Sequence, residues 1–361
     1  MKVVTIVGAR PNFIKMAPVS KELRKARIEE VVIHTGQHYD YEMDRIFFEQ
    51  LGIPEPDYNL GVGSGSHGYQ TGEMLKRIEE KLLFEKPDMV LVYGDTNSTL
   101  AGALAAAKLN IPVAHVEAGV RCFNRTVPEE INRVLVDRIS RYLFCPTQKA
   151  VENLKSEGIS EGVYLVGDVM LDALLQNIER AKNSGILREL GLKEKDYILA
   201  TVHRAENTDK RENLENIYKA LAESGERIVF PIHPRTRKML ASYGLLDGLE
   251  KSENVLITKP LGYFEMLCLE MNAKKILTDS GGVQKEAYFL KVPCITLRNE
   301  TEWPETAEDG WNILVGADKL KILDALKSFE PKMGSYAHRF GDGKASERIV
   351  AILVDSIVKK R

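Results

Sequence analysis

Along this chain of 361 residues, polar and charged side chains gather in short clusters directly after apolar runs. Gly8-Ala9-Arg10-Pro11-Asn12 is one such cluster, with Lys15 one helical turn further on. A helix starting there puts Arg10 and Lys15 beside its N-terminus, where orphan N–H groups and the helix dipole favour an anion. The plainer reading is a turn glycine, a proline at the start of a helix and two solvated cations. Tyr93-Gly94-Asp95-Thr96-Asn97 offers Asp95 either as a helix cap or as a reacting carboxylate. His115-Val116-Glu117-Ala118-Gly119-Val120-Arg121 sets Glu117 in an apolar context, where a carboxylate is costly unless paired or used. Thr126-Val127-Pro128-Glu129-Glu130 then opens a helix. Thr126 and Glu129 have the spacing of a capping box, a structural explanation for one of the two glutamates. Three carboxylates (Asp95, Glu117 and Glu129 or Glu130) converge on one sheet edge, an arrangement suited to proton transfer.

The second half of the chain carries different chemistry. Thr201-Val202-His203-Arg204-Ala205-Glu206-Asn207 and Ile232-His233-Pro234-Arg235 each follow an apolar run. Thr278-Asp279-Ser280-Gly281-Gly282-Val283-Gln284-Lys285-Glu286 reads as strand, turn and helix. Its consecutive glycines leave backbone N–H groups able to point at an anion, with Ser280 adding a hydroxyl and the helix dipole behind them. Glu286, about one turn in, is placed to bond a ribose diol. A tight turn with a surface glutamate is the plainer reading. Two further patterns are set aside. Gly63-Ser64-Gly65-Ser66-His67-Gly68 matches a dinucleotide fingerprint, but no convincing strand precedes it, and the glycines from Gly61 to Gly72 read as a mobile loop. His34-Thr35-Gly36-Gln37-His38 has zinc-like spacing without Cys or H-E-x-x-H, so no metal is expected, though His38 is a candidate to line a cleft.

What must position these clusters is a set of short β-branched runs alternating with amphipathic stretches. Strand-like runs fall at 3–7, 31–34, 89–93, 113–116, 142–145 and 164–166, and a second series at 198–202, 228–232, 255–258, 276–278, 294–297 and 313–315. Helical patterns lie between them, for example at 68–84, 98–109, 128–140 and 282–290. Strands apolar on both faces and separated by helices indicate parallel sheets covered on both sides. The expectation is an α/β protein with two doubly wound Rossmann-like domains facing a central cleft. The domains are expected to be 1–168 and 169–344, with the final helix, 345–361, packed back on the first. Ligands of such sheets bind at the carboxyl ends of the strands, where the clusters lie.

Composition supports this reading. Hydrophobic residues are 44% and charged residues 28%, as in ordinary globular chains, which excludes a disordered or collagen-like protein. Fifty Lys and Arg against 52 Asp and Glu give a net charge of −2, without the basic excess of a nucleic-acid binder or polybasic membrane protein. No apolar stretch approaches the about 20 residues needed to span a bilayer. The N-terminal run is too short for a signal peptide, and the four scattered cysteines read as reduced thiols. A cytoplasmic location is expected.

The ordered motifs are specific enough to compare with a known family. Over nearly its whole length the chain resembles the non-hydrolysing UDP-N-acetylglucosamine 2-epimerases, bilobal proteins of the glycosyltransferase-B type. The resemblance rests on GARPNFIKMAP at 8–18, TGQHY at 35–39, GDT at 94–96, HVEAGVR at 115–121, PEEINR at 128–133, TVHRAE at 201–206, TDSGGVQKE at 278–286 and TEWPE at 301–305. It implies inversion at C2 of a UDP-linked 2-acetamido sugar, no redox cofactor, and a homodimer. It assigns Asp95, Glu117 and Glu129 to catalysis. Arg10, Lys15, His203, Ser280, Gly281, Gly282 and Glu286 take nucleotide-site positions, with His203 helping the diphosphate leave, and Leu261 and Met266 fall where the family contacts uracil. Trp303 stands where the bacterial T-E-R-P-E pattern has an Arg. Ala205 stands where many bacterial members have an Arg tied to an allosteric substrate site. YGDTNS at 93–98, GDVM at 167–170 and the Trp303 motif also resemble the UDP-2,3-diacetamido-glucuronate 2-epimerases.

Overall fold

The structure is a computed structural model that describes residues 1–37, 45–331 and 336–358. It divides into two compact units, Met1–Asn177 with His338–Arg361, and Ile178–Ala337. The first unit holds β1 (Lys2–Val7), β2 (Glu29–His34), β3 (Tyr58–Asn59), β4 (Met89–Tyr93), β5 (Val113–Val116), β6 (Tyr142–Cys145) and β7 (Val163–Leu165). These form one sheet in the order β3-β2-β1-β4-β5-β6-β7, and every pair is parallel. The second unit holds β8 (Ile198–Thr201), β9 (Ile228–Pro231), β10 (Val255–Thr258), β11 (Lys275–Thr278), β12 (Cys294–Thr296) and β13 (Asn312–Leu314). Their order, β10-β9-β8-β11-β12-β13, repeats the doubly wound scheme of the first.

Alternation along each strand explains why the runs are apolar throughout. In β8, Ile198 and Ala200 join one buried cluster with Ile228, Phe230 and Leu277, while Leu199 joins another with Val229, Ile276 and Cys294. Both faces are therefore core, as successive side chains of a strand point to opposite sides. Parallel register holds the faces together: Leu199 lies opposite Val229 and Ile276. In β1, Val4 and Ile6 pack in a cluster with Ile33, Met74, Ile78, Val90 and Val92, and Val3, Thr5 and Val7 on the other face are also fully buried. Each such Val or Ile contributes about 1.5–3 kcal/mol by leaving water. Among the described residues no helix is long and apolar enough to cross a membrane.

Several elements depart from the sequence reading. Tyr58–Asn59 is a two-residue strand paired to Ile33–His34, too short to register as a periodic run. The glycines at 68 and 72 lie inside the helix His67–Glu85, whose N-cap Ser66 accepts from the Tyr69 N–H, so the loop there is shorter than its glycine content suggests. The helix Val169–Lys182 straddles the division between the units. Its first half is tied to the chain's last helix, Ala345–Val358: the Asp172 carboxylate accepts from the N–H groups of Ala345 (3.1 Å) and Ser346 (2.7 Å) and from the Ser346 hydroxyl (2.6 Å). That last helix packs against Arg10–Lys25.

Candidate active site

The first sheet reverses its winding direction between β1 and β4, and one side chain joins the ends of both strands. Asn12 Oδ1 accepts from the N–H groups of Gly8 (3.3 Å) and Ala9 (3.2 Å), while Nδ2 donates to the Tyr93 carbonyl at 2.8 Å. Arg10 begins the helix Arg10–Lys25, and its guanidinium stands 6.0 Å from the Phe47 ring centroid. Lys15 is buried rather than solvated, and its Nζ lies 2.5 Å from Glu117 Oε1, itself buried. Each isolated charge would cost several kcal/mol to bury, so the two are placed as a pair. Gly94 makes room for them: its φ is +64°, and a Cβ there would stand 2.8 Å from Lys15 Nζ. Glu117 itself sits at φ +75°, a conformation that costs a side-chain-bearing residue about 1–3 kcal/mol and is held here by its surroundings.

The remaining carboxylates sort themselves by their partners. Asp95 is not the cap of the following helix, Asn97–Lys108. Thr96 is, accepting from the Thr99 N–H at 3.3 Å, and the Asp95 carboxylate pairs instead with Arg133 Nη2. The capping box at Thr126 does not form either, because the helix Pro128–Ile139 has Val127 at its N-cap and the Thr126 hydroxyl donates to Asn124 Oδ1. Glu130 is fully engaged, accepting from the N–H groups of Cys122 (3.0 Å) and Phe123 (2.8 Å) and from Arg133 Nη1 (2.8 Å). Glu129, its neighbour, is half-buried and makes none of these contacts. Of the zinc-like pair, His34 Nδ1 accepts the Gly36 N–H in a local turn, and His38 lies outside the described residues. Among the described residues no three His, Cys, Asp or Glu side chains gather to hold a metal ion.

In the second unit the equivalent position is the ends of β8 and β11. The fully buried Asp279 carboxylate accepts from the N–H groups of His203 (3.0 Å) and Arg204 (2.9 Å) and from Asn207 Nδ2 (3.1 Å), fixing the turn after β8. Burial pushes this carboxyl above its ordinary range, and the N–H donors only partly offset it. His203 is partly exposed, with Nδ1 3.3 Å from Asp279 and its ring 5.5 Å from that of His233. Ser280 caps the helix Gly281–Phe289 by accepting from the Val283 N–H, so Gly281 and Gly282 begin that helix rather than form a turn. A Cβ on Gly281 would stand 3.2 Å from Trp303 Nε1, which explains the residue type by close approach. Glu286 is buried beside the Tyr263 hydroxyl, whose pKa is raised well above its ordinary value by burial and then by the Glu286 charge. Leu261 and Met266 are partly buried against the cluster containing Cys268, Leu269 and Val283.

Arg298, which the sequence reading passed over, stands beside this helix start among residues already named in its motifs. Arg298 Nη1 lies 2.7 Å from Glu302, its Nε lies 2.9 Å from Glu206, and Arg204 reaches Glu302 at 3.7 Å. Lys285, also buried, places its ammonium 4.0 Å from the Trp303 ring centroid, a cation–π contact. Residues 298–302 lie outside any helix, so no local pattern signalled the Arg298–Glu302 pair, and nothing in the sequence linked Lys285 to Trp303.

Comparison with known proteins adds the following. The family described as UDP-N-acetylglucosamine 2-epimerase matches residues 21–354. A UDP-N-acetylglucosamine 2-epimerase homolog of Methanococcus maripaludis is 64% identical, over 98% of this chain and 99% of the relative. The UDP-2,3-diacetamido-2,3-dideoxy-D-glucuronate 2-epimerase of Pseudomonas aeruginosa is 48% identical, over 98% of this chain and 99% of the relative. The fold is similar to the crystal structure of Methanocaldococcus jannaschii UDP-GlcNAc 2-epimerase in complex with UDP-GlcNAc and UDP. There the TM-score is 0.94 at 52% identity, covering 98% of this chain and 99% of that one.

Proposed function

The chain belongs to the UDP-N-acetylglucosamine 2-epimerase family, and we propose that it interconverts UDP-N-acetylglucosamine and UDP-N-acetylmannosamine. It is an isomerase with two doubly wound units of the glycosyltransferase-B type. The observation that carries the reading is the gathering of Asp95, Glu117 and Lys15 at the β1/β4 switch point, each charge matched to a partner.

The chemistry explains why such groups are needed. The C2 proton of the sugar has no adjacent carbonyl to acidify it. Heterolysis of the C1–O bond, with the electron pair leaving on UDP, gives C1 oxocarbenium character and makes C2–H acidic. One carboxylate takes that proton and leaves a 2-acetamidoglucal beside UDP. A second acid delivers a proton to the opposite face of C2, and UDP adds back to C1. Asp95, Glu117 and Glu129 are the groups for these transfers; the engagement of Glu130 in backbone contacts supports Glu129 over it. Arg10, Lys15 and His203 oppose the charge growing on the leaving diphosphate, and Ser280, Gly281 and Gly282 offer the start of a helix to it. Glu286 accepts from the ribose hydroxyls, and Leu261 and Met266 flank the base. No redox cofactor enters the reaction.

Trp303, in place of the Arg of the bacterial pattern, favours one alternative sugar, the UDP-linked 2,3-diacetamido-glucuronate, which the Pseudomonas aeruginosa relative is named for. We place the enzyme in the cytoplasm, supplying a nucleotide sugar for cell-surface polysaccharide. A homodimer is supported by Ile131 and Leu135, each 48% exposed and one helical turn apart on Pro128–Ile139.

The test incubates purified protein with UDP-N-acetylglucosamine in D₂O and follows the sugar by NMR. Deuterium at C2 together with the manno epimer is the expected result. Turnover only with an added acceptor would make it a glycosyltransferase, and binding without exchange would make it a sensor. Preference for the diacetamido-uronate in the same assay would reassign the sugar.

A further inference from the structure

His115 is completely buried at the end of β5, two residues before Glu117, and both ring nitrogens meet oxygen. Nδ1 lies 2.7 Å from Asp137 Oδ1, and Nε2 lies 2.7 Å from the Gly94 carbonyl. A carbonyl oxygen can only accept, so Nε2 carries a hydrogen. Asp137 holds the ring at Nδ1. Its other oxygen, Oδ2, accepts from Arg121 Nη1 at 2.7 Å and from the Gly119 N–H at 3.1 Å. Burial alone would raise the Asp137 carboxyl, yet hydrogen bonding and charge from its partners hold it below its ordinary value. Arg121 is balanced in turn by Glu157, at 2.7 and 2.9 Å.

The bond to Gly94 is one of a set. The Tyr93 carbonyl accepts from Asn12 Nδ2 (2.8 Å) and the Thr99 hydroxyl (2.7 Å), Gly94 from His115, and Asp95 from Asn132 Nδ2 (2.8 Å). Three successive carbonyls of the turn that carries Asp95 are thus held by side chains from different elements. The Gly94 N–H closes the set by donating to the Val116 carbonyl at 2.9 Å, beside Glu117.

We propose that His115 is a positioning residue for proton transfer: a ring held at Nδ1 by Asp137 that donates from Nε2 to the Gly94 carbonyl, and so fixes the Gly94–Asp95 turn and with it the carboxylates of Asp95 and Glu117. The inference rests on the 2-epimerase reading for its consequence in turnover, but the state of the ring is measurable without any turnover.

The experiment labels the histidines of the full-length protein with ¹⁵N and records long-range ¹H–¹⁵N spectra near neutral pH. The spectrum lost in His115→Gln identifies the ring. Nε2 at the shift of a protonated nitrogen, and a displaced Nδ1 shift in Asp137→Asn, are expected. In steady-state assays His115→Gln should lower kcat about 10- to 100-fold, the usual scale for a group that orients a reacting one, with KM and UDP affinity within about twofold. A wild-type ring with no hydrogen on Nε2 overturns the proposal, as does wild-type kcat in a folded His115→Gln. If that variant does not fold, the wild-type and Asp137→Asn spectra decide, with the ring assigned by its contacts to Gly94. Absence of turnover in the wild type, with Nε2 protonated, would overturn the 2-epimerase reading and leave the anchored ring standing.

Discussion

Each unit anchors the turn at its switch point with one buried aspartate, and the two do so by opposite electrostatics. Asp137 lies against the His115 ring and the Arg121 cation, and its carboxyl is held low. Asp279 lies among backbone N–H groups and an amide, and burial wins, holding it high. Full charges offset the desolvation of a carboxylate, and a few dipoles do so only in part. The first arrangement fixes side-chain geometry around Asp95 and Glu117, the proposed proton-transferring groups. The second fixes a backbone path that presents His203.

That contrast is open to attack in order of expected effect. Glu117→Gln should lower deuterium incorporation at C2 by about 10²- to 10⁴-fold while UDP affinity, followed by calorimetry, stays nearly constant. Retained exchange would move the proton transfer from Glu117 to another group. Asp137→Asn removes the buried anion between Arg121 and His115, leaving Arg121 only Glu157, and should lower the unfolding free energy by about 3 kcal/mol in urea titrations. Asp279→Asn keeps an oxygen for the same N–H groups and should lose only about 1–3 kcal/mol. Equal losses would show that the two anchors do not differ.

Acid titration gives the two differences opposite signs. The depressed Asp137 contributes stability that is full above the ordinary carboxylate pKa of about 3.9 and is lost as pH falls through its lower folded value. The gap between wild type and Asp137→Asn should therefore narrow only in strong acid. The raised Asp279 disfavours the fold when ionised, and protonation relieves this as pH falls through its folded value. The gap between wild type and Asp279→Asn should accordingly widen on acidification from neutral. The smallest effect is expected of Thr126→Ala, within about 0.5 kcal/mol because Thr126 caps no helix. Thr96→Ala, which removes a real cap, should lose about 1 kcal/mol.

Much of the architecture was legible because both faces of each sheet are buried, which forces continuous apolar runs such as those of β4 and β8. The proposed site residues were legible as the polar residues that end those runs. Helix starts were less so. Thr126 and Asp95 both have suitable chemistry for caps, but each cap fell one residue later, at Val127 and Thr96. The capping-box spacing gave Glu129 a structural reading in sequence, but the fold leaves that box unformed and turns Glu130 to the backbone of Cys122 and Phe123. His115 and Asp137 stand on different elements, 22 residues apart, and no local pattern pairs them. Tyr58–Asn59 owes its strand to a neighbour, not to its own composition.

The Asp172 carboxylate that starts the last helix is 173 residues from the N–H of Ala345 it receives. During synthesis the whole of Ile178–Ala337 leaves the ribosome between those two groups. Domains ordinarily fold in N-terminal order as they emerge, but here the first unit cannot be finished until the second has been made. Chains stalled before residue 345 should yield a second unit that resists brief proteolysis and a first unit that does not. Equal resistance of both would show that the last helix is an accessory. Otherwise the enzyme acquires its carboxylates' scaffold last.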